Sequence, residues 1–150
     1  MRKAFLAFFL ALIGVNALVR GTIGSLQAQE PIVFFAEQYH MPPVASVTYF
    51  HDTERKFYAR LDIFLPSPGG GMIGMFLLYC SARDLALNYG FDRYSFLVSP
   101  FEEELNSVAM TVLFLAPGES AAEVFGEEVL QEVGGFFRVD DPDIHAGCGK

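Results

Sequence analysis

The spacing of apolar side chains changes period along this chain, and each change marks an element. Phe57, Ala59, Leu61, Ile63 and Leu65 alternate with Tyr58, Arg60, Asp62 and Phe64. That period of two predicts a half-buried strand over 57–65. Upstream, Val44–Phe50 is β-branched and aromatic and leads into the polar run His51–Arg55, so the two stretches predict a hairpin. The compact run Ile32–Ala36 predicts a short strand or docking arm, broken by His40-Met41-Pro42-Pro43. After Pro66–Gly71, a strong stop, the period lengthens. Met75, Leu78, Tyr79, Ala82, Leu85, Ala86 and Tyr89 form the stripe of an amphipathic helix, with Gly90 placed for a left-handed cap.

The downstream half repeats this alternation of elements. Tyr94–Val98 and Val108–Leu115 predict strands joined by the acidic loop Phe101–Asn106. In the second strand Val108, Met110, Val112 and Phe114 share one face, and Ala109, Leu113 and Leu115 the other. Ser120–Glu123 has capping-box spacing before a second helix with Ala122, Phe125, Gly126, Val129, Leu130 and Val133 inward. Its glutamates 123, 127, 128 and 132 face outward, and Gly134-Gly135 ends it. Phe136–Val139 predicts a last short strand.

From Phe57 the order is strand, helix, strand, strand, helix, strand. This predicts an α+β, ferredoxin-like (split β-α-β-β-α-β) two-layer sandwich with extra N-terminal strands. The corresponding divisions are a signal segment 1–28, an N-terminal strand or hairpin extension 29–56, a core 57–139 and a polar tail 140–150. With both helices on one face, the other face of the sheet is bare unless residues 31–50 or a loop cover it. Tyr58, Phe64, Leu97, Ala109, Leu113 and Leu115 are the candidates for that face, and an apolar patch of this size marks an interface.

Charge sharpens the picture. The chain has 150 residues and a net charge of −8. Residues 1–28 carry Arg2, Lys3 and Arg20 and no acid, which leaves seven basic and eighteen acidic side chains, a net of −11, for the rest. Such a surface repels nucleic acid and anionic lipid headgroups. The abundant apolar and aromatic content supports a folded domain. Met1-Arg2-Lys3, the apolar run Ala4–Ile13 and the small residues beyond predict a secretory signal, cleaved after Ala17 or, preferably, after Ala28. The rival reading is an uncleaved anchor, although Ala4–Val19 is short for a span of roughly 20 residues. The expected location is periplasmic or secreted, with no membrane insertion after cleavage.

Few residues suggest chemistry. Gly69-Gly70-Gly71-Met72-Ile73-Gly74 matches G-x-G-x-x-G between a strand and a helix, so Gly69, Gly71 and Gly74 are candidates for a phosphate-binding loop. Pro66 and Pro68 stiffen the approach and no ribose-binding acid is suitably placed, so a plain flexible loop is preferred. Asp140, Asp141, Asp143, His145 and Cys148 form the densest set of metal-ligand side chains. Their spacing matches no zinc or calcium loop, and the metal assignment stays open. Cys80 and Cys148 are the only thiols. They either pair, pinning the tail to the helix in an oxidising compartment, or fill the core as free thiols. No nucleophile with a basic partner and no paired carboxylates recommend an enzyme, and no cofactor is implied.

Ala82-Arg83-Asp84-Leu85-Ala86-Leu87-Asn88-Tyr89-Gly90-Phe91-Asp92, followed by Tyr94 and Phe96, resembles a stretch of small bacterial envelope lipoproteins of uncharacterised activity. In that family an Ala-rich helix ends in Gly-Tyr-Asp and feeds an aromatic strand. The likeness covers about a sixth of the chain and implies an envelope location. The chain departs from the family in lacking a lipobox cysteine and in carrying Arg93 before Tyr94. The expectation is an exported, non-catalytic interaction or self-associating module that meets a protein partner or a second copy. The alternative is a periplasmic binder of a small apolar ligand in an aromatic pocket.

Overall fold

Backbone hydrogen bonding joins six strands into one antiparallel sheet in the order β1-β2-β3-β5-β4-β6. The computed structural model describes residues 29–64, 68–98 and 107–149. The predicted export signal, the loop Phe101–Asn106 and positions 65–67 lie outside the described residues. The strands are β1 (Ile32–Phe35), β2 (Ala45–Thr53), β3 (Lys56–Ile63), β4 (Arg93–Val98), β5 (Ser107–Leu115) and β6 (Phe137–Arg138). Helix α1 (Pro68–Tyr89) is long, whereas α2 (Ala121–Phe125), α3 (Glu127–Glu132) and α4 (Pro142–His145) are short. A 3-10 turn, Ala36–Tyr39, follows β1.

The period-two strand sits where alternation predicts. Across the ladders Phe57 lies beside Val112, Ala59 beside Met110 and Val47 beside Leu61. These buried side chains form the main core with Leu77, Leu78, Leu85 and Ala86 of α1. Helix α1 packs on β2, β3 and β4. At Gly74 a side chain would meet Leu61 at 3.2 Å, so glycine lets helix and sheet approach closely. Two hydroxyl contacts, one buried and one part-buried, fix the helix laterally. Tyr49 Oη meets Ser81 Oγ at 2.8 Å, and the Tyr39 hydroxyl donates to Asp84 at 2.9 Å. Burial raises the pKa of both tyrosines, so their hydroxyls stay protonated. The helix ends on Gly90 at φ 78°, where Phe91 N–H donates to the Ala86 carbonyl at 2.9 Å, as a left-handed cap requires.

Three expectations need correction. The ferredoxin-like plan would put the last strand beside β3, but β2 holds that edge and β6 pairs with β4. β2 pairs with β3 along nearly its whole length, whereas β6 has two residues, so β2 occupies that edge. Second, α1 starts at Pro68, seven residues before the apolar stripe, because proline is well tolerated at a first helical position. Gly69, Gly71 and Gly74 therefore lie inside a helix and form no loop. Third, Gly126 at φ 84° splits the expected second helix into α2 and α3, neither with a fully buried residue. Ser120 makes no side-chain cap there. The alternative left open for the thiols is settled: Cys80 and Cys148 form a disulfide across 68 residues that docks the tail, and the ring of Phe76 lies against Gly147. Among the described residues no helix is long and apolar enough to cross a membrane.

Candidate functional site

Register divides the sheet into two faces, and only one is covered by α1. Away from α1 point Val33 of β1, Thr48 and Phe50 of β2, Tyr58, Arg60 and Asp62 of β3, and Ala109, Thr111, Leu113 and Leu115 of β5. Leu97 of β4 lies beside Thr111 on the same face. The expected face therefore exists, but its two halves differ.

One half is closed. Leu113 and Leu115 are fully buried, yet neither belongs to the main core. Their ladder neighbours on β4 are Ser95 and Arg93. The Ser95 hydroxyl donates to the Gly135 carbonyl at 2.5 Å, and Arg93 donates to the Glu119 carbonyl at 2.6 Å. The connection 116–136 is thereby tied across Leu113 and Leu115. Glu119 also holds Arg55 through two 2.5 Å contacts and accepts the Ala116 N–H at 2.8 Å. Both leucines are fully buried, so the expectation that they are exposed interface residues is corrected. The signal missed in the sequence was Glu119, whose partners lie 3 and 64 residues away.

The other half is open. Val33 (40%), Phe35 (48%), Tyr58 (44%) and Phe64 (55%) are the large apolar side chains left accessible there. Phe64 extends the ladder by one bond to the Val44 carbonyl at 2.7 Å. Phe50 and Tyr58 face each other across β2 and β3 with ring centroids 6.1 Å apart, and Leu97 and Ala109 are half-buried at the border. Of the six residues expected on this face, Tyr58, Phe64, Leu97 and Ala109 remain as surface. Phe50 of β2 was missed as well, and so were Val33 and Phe35, because a four-residue apolar run does not disclose its faces.

Neither edge extends this surface. β6 has two residues and β1 four. On β1 the Phe35 N–H donates to the Gln38 side chain at 2.6 Å, which closes one of the few edge groups available for strand addition.

The candidate ligand cluster spends its donors internally. The Asp141 side chain accepts from Asp143 N at 2.9 Å, Asp140 pairs with Arg138 at 2.8 Å, and Cys148 is in the disulfide. That exposed pair lowers the Asp140 pKa, chiefly through the hydrogen bond from Arg138. His145 Nδ1 lies 2.9 Å from the Asp141 carbonyl, an acceptor only, so Nδ1 carries the proton. In the neutral ring Nε2 then accepts from the Tyr94 hydroxyl at 2.7 Å. Burial lowers the His145 pKa and favours this form. Among the described residues no group of three or more His, Cys, Asp or Glu is arranged to hold a metal ion.

Two concavities lie among the described residues. One, of about 200 Å³, lies among Met75, Leu78, Tyr79, Phe96 and Phe137, with Gly134 and Gly135 at its rim. The other, of about 330 Å³, lies between Arg83 and the docked tail at Asp140–His145. No protein-family model, curated protein or solved structure matches the chain.

Proposed function

We propose that the chain is an exported cell-envelope protein whose folded domain acts by protein interaction through the open half of its sheet, without catalysis. The observation that carries this reading is the accessible strip of Val33, Phe35, Tyr58 and Phe64 on a face that α1 does not cover. Four large apolar side chains clustered on one rigid sheet favour burial against a partner, whereas scattered ones would need no explanation. Export is supported by the basic start and apolar run of residues 1–13, and an oxidising compartment fits the disulfide.

The second reading, binding of a small apolar ligand, is favoured by the aromatic hollow around Tyr79 and Phe96. Its roughly 200 Å³ holds one ring or a short alkyl segment and falls below the usual range for a whole ligand. The test of the primary reading is a photo-reactive side chain at position 58, with a control at the exposed Glu128, in cells producing the full chain. Protein adducts at 58 and few at 128 are expected. Equal yields at both positions refute the reading.

A further inference from the structure

We infer that the partner on this face is a second copy of the chain, packed sheet against sheet about a two-fold axis that crosses β3 at Leu61. The inference rests on the interaction reading above and narrows it to one occupant.

It starts from the order of side chains on β3. On the face away from α1 the strand presents Tyr58, Arg60 and Asp62, and the alternation continues to Phe64: aromatic, cation, anion, aromatic. A two-fold axis across the strand at Leu61 exchanges position 60 with 62 and position 58 with 64. Arg60 then stands opposite Asp62 of the second copy, and Tyr58 opposite its Phe64. An isologous interface must be self-complementary in this way.

The flanking strands leave room for it. Beside Arg60 and Asp62 the ladders place Thr48 and Ser46 on β2, and Ala109 and Ser107 on β5. Arg60 and Asp62 thus stand between small side chains on both flanks, which lets the second copy's β3 cross over them at the axis. Within one copy Arg60 already donates to Asp62 at 2.9 Å, so the centre of the strip is neutral although the chain is acidic. Two copies elsewhere repel, and here they do not. Arg60 keeps half of its side chain exposed, so its remaining donors are accessible to a carboxylate of the second copy. The blunted β1 edge and two-residue β6 disfavour edge pairing and leave the face as the surface for association.

The test is sedimentation of the full chain, expressed from Met1 and purified from the producing cells, across concentration. The wild-type chain is expected to dimerise. R60D and D62R each set like charges opposite one another and raise the dimer dissociation constant about a hundredfold. The double variant R60D/D62R restores it, and an equimolar mixture of R60D and D62R chains forms a heterodimer. Circular dichroism melting confirms that each variant is folded. A wild-type chain that stays monomeric, or a dimer indifferent to both reversals, overturns the inference. The mass of the adduct formed at position 58 separates the two failures. An adduct other than twice the chain overturns the second copy while leaving the interaction reading intact, and no adduct at all removes both.

Discussion

Leu113 and Tyr58 point to the same side of the sheet, yet one is buried and the other accessible. Truncation separates them energetically. Leu113→Ala opens a cavity beneath the connection 116–136 and is expected to cost about 2–5 kcal/mol in unfolding free energy. Tyr58→Ala, measured on the dilute chain, is expected to cost about 1 kcal/mol or less. Denaturant midpoints at constant slope check both values, and an equal loss at the two positions would contradict the division of this face. His145 gives a residue-scale prediction with a defined sign. Burial holds its folded-state pKa below the ordinary 6.5, so between the two values the unfolded chain binds more protons. Its contribution to stability is therefore complete above pH 6.5 and is lost as pH falls from there through the folded-state value. Thermal melts of wild type and His145→Gln between pH 7.5 and 5 test this, and the wild-type curve should carry the extra downward slope.

The elements show which patterns carry across from sequence to structure. Hairpin β2–β3 and strand β5 were legible because a period of two has only one way to bury its apolar side. Gly90 was legible too, since its position after Tyr89 coincides with a left-handed cap. The second helix was not, because Gly126 belongs to the apolar stripe by spacing yet adopts φ 84° and ψ 159°, a conformation open in practice only to glycine. Gly126→Ala is accordingly expected to destabilise the chain by about 1–3 kcal/mol, read from the unfolding midpoint. The tail was legible only in part: its two thiols offered a pairing to the helix, but not the other contacts that hold it. Its attachment depends on contacts far away in sequence: the disulfide to Cys80 on α1, and Tyr94 of β4 against His145. Removing both thiols as Cys80→Ala/Cys148→Ala should lower stability by about 4 kcal/mol, the loop-closure entropy of a 68-residue span. Increased proteolysis after residue 139 would accompany the loss.

At the scale of the whole molecule, one long helix covers one face of a six-stranded sheet, and the other face is buried at Leu113 and Leu115 but accessible at Tyr58 and Phe64. The excess of apolar strand faces over helical cover, visible in the alternation of 57–65 and 108–115, is the feature that leads from fold to function. Strand order was not legible, because a two-residue strand and a two-strand extension compete for edges through backbone bonds that side-chain patterns do not encode. The chain is acidic overall, whereas Arg60 and Asp62 pair within the strip and leave its centre neutral. The most direct measurement of the account is side-chain footprinting by hydroxyl radicals on the assembled chain as isolated from its cells. The account predicts that Phe35, Tyr58 and Phe64 are protected while exposed Met72 and Leu87 on α1 are modified freely. Modification of the strip at the same rate as Met72 and Leu87, each corrected for its intrinsic reactivity, would contradict it.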